Sequence, residues 1–332
     1  MKKSLLLSLL ILFSFSVFSQ TPIDKALRSI TIQAAQSHIN FLAHDELEGR
    51  EAGFHGGRIA REYIISRLTE LNITPLDSAY VQHFEAFRVD NQKKGKWQVD
   101  SDSIDLIQKS THQKLAMSNI LACIYGKKKD EYVIVGAHYD HLGIDPYLHG
   151  DKIYNGADDN ASGVSAVLQI AKAFVESGVQ PQRTVVFAFW DGEEKGLLGS
   201  KYFVQNYSHL SQVKGYLNFD MIGRNNKPEQ PQHVVCFYTE SHPTFGRWLE
   251  IDLIKYNLDL EPEIRPWDKP IGGSDNGPFA LHNIPIIWYH TDGHPDYHKP
   301  TDHSEHINWE KVVEITKASF LNMWRMANED IF

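Results

Sequence analysis

TVVFAFW, residues 184–190, is an uncharged apolar run followed at once by the acidic turn DGEE, residues 191–194. A run this short and this apolar fits a strand buried on both faces, as in a parallel sheet covered by helices. The chain on either side repeats the theme. Upstream lie EYVIVGA (131–137) and the helical pattern SGVSAVLQIAKAFVE (162–176). Downstream come a helical stretch near 195–206, GYLNF (215–219), VVCFY (234–238), a helical stretch near 243–257, IPIIWYH (284–290) and a last helix near 309–328. Strand and helix in alternation predict an α/β fold of three layers, α/β/α, around a mixed, mostly parallel sheet. Residues 25–43 and 55–71 also carry apolar positions at helical spacing, with Pro75 closing the second. The polar stretch 88–113 reads as a linker or surface excursion too short for a domain. Without internal repeats, residues 20–332 are expected to form one catalytic domain.

Residues 1–19 begin Met1-Lys2-Lys3, continue as a short apolar stretch over 5–18, and end Val17-Phe18-Ser19. That is the pattern of a signal peptide and short of the ~20 residues a spanning helix needs. The expectation is an exported protein, periplasmic or secreted, with no stable membrane insertion once the leader is removed. Losing Lys2 and Lys3 takes the formal charge from −9 to −11. A surface of that sign repels phosphate backbones and argues against nucleic acid as a partner. Cys123 and Cys236 sit inside apolar runs and read as buried thiols in strands.

In an open α/β sheet ligands bind beyond the carboxyl ends of the strands, so the residues after each apolar run are the informative ones. His138 and Asp140 follow VIVGA, Glu193 and Glu194 follow TVVFAFW, Asp220 follows GYLNF, and His298 comes eight residues after His290. Asp158 and Asp159 stand just before the helix that begins near Ser162. Imidazole and carboxylate without thiolate suit catalytic zinc with a position left for water. The charge count favours two ions. Two Zn²⁺ are neutralised by three ligand carboxylates and a bridging hydroxide, which leaves one glutamate free as base; a single ion would leave the acids crowded without compensation. Residues i and i+2 of a strand point the same way, so Asp140 is expected to accept the second ring N–H of His138. Glu193 and Glu194 diverge in a turn, which lets one bind metal while the other accepts a proton from the attacking water. The HExxH, G-x-S-x-G and Walker A signatures are all missing. The nearest approach to a serine elbow, Gly272-Gly273-Ser274-Asp275-Asn276, has Asn at the second glycine and precedes a short helix near 275–281.

GAHYDHLG, NGADDNASG, FWDGEEKGLLGS, LNFDMIGR and PDYHKPTD, in that order, resemble the metal-site motifs of co-catalytic zinc peptidases of the aminopeptidase Y type. That group includes bacterial leucyl aminopeptidases and glutamate carboxypeptidase. LAHDELEGR, followed by an Ala-Gly pair, resembles the amino-terminal segment of exported bacterial members. The resemblance implies two zinc ions, one held by His138 and Asp220, the other by Glu194 and His298, with Asp159 bridging. It makes Glu193 the general base, Asp140 the partner of His138, and Tyr297 a donor to the tetrahedral oxyanion. It implies that the 273–276 loop contacts substrate and that peptide or protein amino termini are the substrates. His141, His149, His290, His294, His303 and His306 read as solvated residues or as neighbours of the ligands. Arg224 reads as holding a substrate carboxylate or pairing with an acid; Glu48 and Arg50 read as serving a buried turn. Glutaminyl cyclases share the fold and a DGEE-like turn but use one zinc for cyclisation, and a carboxypeptidase or dipeptidase on the same fold is a further alternative.

Overall fold

Thr31 divides the first helical stretch in two. Its hydroxyl accepts from the Ala34 amide as a helix cap, and its own amide donates to Gln169 Oε1 at 2.9 Å. A capping residue has extended backbone and so separates α1 (Pro22–Ser29) from α2 (Ile32–Leu42). The computed structural model describes residues 20–90, 96–267 and 273–330, and the leader expected over 1–19 lies outside them. The order continues with a tight turn Asp45–Arg50, α3 (His55–Glu70), β1 (Thr74–Pro75), β2 (Val81–Val89), α4 (Ser101–Ile107), β3 (His112–Ile124) and β4 (Lys128–His138). A small hairpin follows, β5 (Gly143–Ile144) with β6 (Ile153–Tyr154), then the loop Ala157–Ser162 and α5 (Gly163–Ser177). The second half runs β7 (Arg183–Trp190), α6 (Leu198–Asn206), β8 (Val213–Phe219), β9 (His233–Tyr238), α7 (Thr244–Tyr256), β10 (Glu261–Pro266), α8 (Asn276–Leu281), β11 (Ile286–His290) and α9 (Trp309–Asn328).

Nine of these strands form one sheet, in the order β1-β3-β7-β4-β8-β11-β9-β10, with β2 also paired to β3. The central four, β7, β4, β8 and β11, are parallel. β3 runs antiparallel to β7, and β9 antiparallel to β11, so the sheet is mixed with a parallel centre. The sequence reading did not single out β2 or β10, and both lie at the margins. β10 contains Pro262 and Pro266, tolerated because an edge strand has one free side. The polar stretch 88–113 proves to be the excursion between two paired strands, since β2 and β3 stay in register from Val81↔Ile120 to Val89↔His112.

Side chains alternate between the two faces along each strand. Val133, Val135 and Ala137 of β4 join Val185, Phe187 and Phe189 of β7 under α2, α5 and α9. Ile134, Val186, Ala188 and Trp190 face the other way, against Phe203 of α6 and Phe279 of α8. The second face also carries a buried polar chain. Trp190 Nε1 donates to Tyr216 Oη (2.8 Å), which donates to Asn218 Oδ1 (2.6 Å), and Asn218 Nδ2 donates to Ser274 Oγ (3.0 Å). Gly136 leaves room for it, because a Cβ there would lie 2.8 Å from Trp190 Nε1 and 3.0 Å from Tyr216 Oη. Tyr216→Phe removes the central hydroxyl and strands a partner on each side. The expected loss of stability is about 1–3 kcal/mol, read from the urea midpoint; a change within about 0.5 kcal/mol, the ordinary range of surface substitutions, would rule the chain out as a stabilising element. Cys123 and Cys236 are free, buried thiols in β3 and β9.

Candidate metal centre

The parallel strands deliver their polar termini to one edge of the sheet. β4 ends in His138, β8 is followed directly by Asp220, and β7 leads through Gly192, at φ 74°, into Glu193 and Glu194. His298 follows β11 and Asp159 lies in the loop before α5. That loop is clamped in place. Asp302 Oδ2 accepts the amides of Asp158 (3.0 Å) and Asp159 (3.1 Å). Asn160 donates to Phe219 O (2.9 Å) and accepts from the amides of Gly163 (3.1 Å) and Met221 (3.3 Å). The clamp sets Asp159 beside the end of β8.

Asp159 is shared between two groups. Its Oδ1 lies 3.3 Å from His138 Nε2, which is 3.6 Å from Asp220 Oδ1. Its Oδ2 lies 3.2 Å from His298 Nε2, which is 3.2 Å from Glu194 Oε2. Atoms bound ~2.0–2.1 Å from one tetrahedral zinc stand roughly 3.3 Å apart, so both groups have the spacing of ligands around an ion. His138 Nε2 is buried and without a hydrogen-bond partner, the signature of an atom meant for a cation. The residues expected as ligands, His138, Asp159, Glu194, Asp220 and His298, are thus brought together.

Asp140 does more than the sequence led one to expect. Its carboxylate accepts the amides of Glu193 (3.0 Å) and Glu194 (3.4 Å). The His138 Nδ1 atom lies 3.2 Å from the Asp140 main-chain carbonyl and 3.7 Å from carboxylate Oδ1. The two turn amides engage both carboxylate oxygens, so the carbonyl takes the nearer place at the ring. Asp140 therefore fixes His138 and the Glu193-Glu194 turn together.

His141 belongs to the site more closely than its sequence position suggested. It is 1% exposed, with Nδ1 2.7 Å from Glu194 Oε1 and 3.8 Å from Asp159 Oδ2. The only signal in the sequence was its place three residues beyond His138. His294 Nε2 instead faces Asp158 Oδ2 at 3.3 Å, and Asp158 Oδ1 accepts from Gly223 N (2.5 Å) and Ser162 Oγ (3.2 Å). Arg224 pairs with Asp296 at 2.6 Å, the second of its two sequence readings. In the loop expected to contact substrate, Ser274, Asp275 and Asn276 are fully buried: Ser274 is engaged by Asn218, and Asp275 accepts from Ser200 Oγ at 2.5 Å. Tyr297 is half exposed, its ring stacked on His298 at 3.9 Å.

The electrostatics match the geometry. Burial opposes charge on His138, but the carboxylates of Asp140, Asp159 and Asp220 close to its ring outweigh it and raise its pKa. Burial likewise works against the Asp159 carboxylate, and His141, His138 and His298 hold its pKa well below the usual range. The Glu193 carboxyl is pushed the other way, up, first by burial and then by the charges of Asp220, Asp275 and Glu194. Tyr297 Oη is raised by burial and by the carboxylates of Asp159 and Asp220, which keeps it a proton-bearing donor at neutral pH.

The model of peptidase family M28 matches residues 119–322. A probable leucine aminopeptidase 2 of Aspergillus oryzae is 36% identical over 196 residues, 56% of this chain and 36% of that protein. The match spans only 20–36% of the length of the curated relatives. A zinc aminopeptidase of Bacillus subtilis superposes with TM-score 0.69 at 17% identity, covering 91% of this chain and 97% of that one. A Fimbriiglobus ruber glutaminyl cyclase superposes with TM-score 0.66 at 16% identity, over 90% and 95%. At such identities the likeness is one of fold.

Proposed function

The chain belongs to peptidase family M28, and from that premise we propose that it is an aminopeptidase using two zinc ions to hydrolyse the peptide bond next to a free amino terminus. The observation that carries the reading is the division of Asp159, with one oxygen toward His138 and Asp220 and the other toward Glu194 and His298. Bound there, the ions supply Lewis acidity for the scissile carbonyl and lower the pKa of water. Glu193 takes the proton of the attacking water and returns it to the leaving amine. Asp140 holds the Glu193 amide at 3.0 Å and so keeps the base in register with His138. The Tyr297 hydroxyl donates to the developing oxyanion, its ring braced against His298. The zinc-aminopeptidase and leucine-aminopeptidase descriptions of the compared proteins support the choice of an amino-terminal cut.

Digestion of a peptide library together with zinc analysis tests this. Release of amino-terminal residues by protein holding about two zinc ions per chain is the expected result. Cleavage confined to carboxyl termini or dipeptides would overturn the chosen end. The glutaminyl-cyclase reading is favoured by the fold likeness alone, and pyroglutamate formed by protein holding one tight zinc would establish it instead. We also propose export, on the strength of Lys2, Lys3 and the apolar residues 5–18. Among the described residues no helix is long and apolar enough to cross a membrane. Expression with residues 1–19 intact should give an extracytoplasmic product with those residues removed; retention with an uncut amino terminus would refute it.

A further inference from the structure

Arg50 is fully buried, yet among the described residues no carboxylate pairs with it directly. Its side-chain donors go to main-chain carbonyls instead. Nε donates to Tyr139 O (3.0 Å), Nη1 to Leu42 O (2.6 Å) and Asn155 O (2.5 Å), and Nη2 to Gly156 O (2.9 Å) and Asp159 O (3.4 Å). A buried cation is costly unless its donors are satisfied, and here every donor bond lands on backbone. Three of the segments it joins matter to the metal centre: the residue after His138, the Asn155-Gly156 stretch that leads into the loop, and Asp159 itself.

The neighbouring residue extends the same contact. Glu51 bridges to His141 beside β4, the Arg50 carbonyl accepts from the His141 amide (3.1 Å), and Glu51 Oε1 pairs with Lys195 Nζ at 2.8 Å. Lys195 directly follows Glu193 and Glu194. Two residues therefore touch all of the loops that carry His138, Asp159 and Glu194. The close approach depends on Gly49, at φ 63°, where a Cβ would lie 2.4 Å from Gly143 O and 2.6 Å from Tyr154 O. This strip lies upstream of residues 119–322, the part matched by the family model.

We propose that Arg50 and Glu51 are positioning residues of the metal centre, holding the backbones of the His138, Asp159 and Glu194 loops at the separation two zinc ions require. The inference rests on the reading of this site as a zinc centre. Arg50 sets two of the loops through a planar fork that lysine cannot reproduce, since an ammonium is a point donor with three hydrogens. Glu51 sets the third through Lys195. Residues that orient ligands without touching metal typically govern affinity or activity by about 10- to 100-fold.

The test is Arg50→Lys, with Glu51→Gln beside it, in the full mature chain. Zinc dissociation constants come from chelator competition, and kcat and KM from an aminoacyl-nitroanilide at a temperature well below both melting points. Arg50→Lys is expected to weaken zinc by about 10- to 100-fold and to lower kcat at limiting zinc, with KM nearly unchanged. Glu51→Gln should move in the same direction by a smaller factor. A folded Arg50→Lys protein with wild-type zinc affinity and kcat overturns the proposal, whatever its melting temperature. If Arg50→Lys does not fold, Glu51→Gln decides, because the Glu51 side chain is 31% exposed and lies outside the core; wild-type affinity and kcat in that variant overturn the proposal. Zinc affinity needs no substrate. Wild-type protein that binds zinc but cleaves no peptide would sink the aminopeptidase reading and leave this one standing.

Discussion

Glu193→Gln is expected to lower kcat by about 10²–10⁴, the usual contribution of general acid–base catalysis, while leaving zinc content close to wild type. The side chain keeps its size and a hydrogen-bonding capacity but can no longer accept a proton. The turn keeps its place because Asp140 grips the main-chain amides of 193 and 194, which the substitution does not touch. Glu193 is also outside both groups of ligand-spaced atoms around Asp159. The measurements are steady-state hydrolysis of aminoacyl-nitroanilides and metal analysis of the same preparation. Wild-type turnover would remove Glu193 from the mechanism; turnover lost together with zinc would make it a ligand.

Asp159→Asn is expected to go further, taking both metal and activity. Asp159 is the carboxylate common to the two groups, with Oδ1 3.3 Å from His138 Nε2 and Oδ2 3.2 Å from His298 Nε2. An amide offers one neutral oxygen in place of two that share a negative charge, so neither position keeps its full ligand set. Lewis-acid stabilisation of the transition state is worth several kcal/mol, or about 10²–10⁴ in rate. The zinc count should fall from about two per chain to one or fewer, and the rate should not recover at moderate excess zinc. Two tightly held ions in Asp159→Asn would show that the bridge is not needed. The fold should survive, because Asp302 engages the main-chain amides of 158 and 159 rather than this side chain.

Particular residues separate what was legible from what was not. TVVFAFW and EYVIVGA could be read as central strands because burial on both faces leaves no polar alternation. β10 could not, because an edge strand tolerates Pro262 and Pro266 and lacks that apolar signature. Thr31 was read through as part of one helix, since its capping role depends on backbone conformation and on Gln169, far along the chain. His138, Glu194 and Asp220 were legible because each follows an apolar run, and Asp159 because it stands just before a helical pattern. The burial of Ser274, Asp275 and Asn276 was not, since it depends on packing of α8 against the far face of the sheet.

By itself, then, the sequence determined the order of the central strands and their helices and the set of imidazoles and carboxylates that follow or flank them. Those follow from local hydrophobic patterning, which each segment carries without reference to the rest. Only the tertiary structure decided that Asp159 divides its oxygens between two groups, that Asp140 grips the Glu193-Glu194 turn, that His141 meets Glu194, and that Arg50 binds the carbonyls of Tyr139 and Asp159. The last three join residues 53, 89 and 109 positions apart. Such contacts depend on strand register and loop closure, and hydrogen-bond geometry across that separation leaves no periodic trace in the sequence.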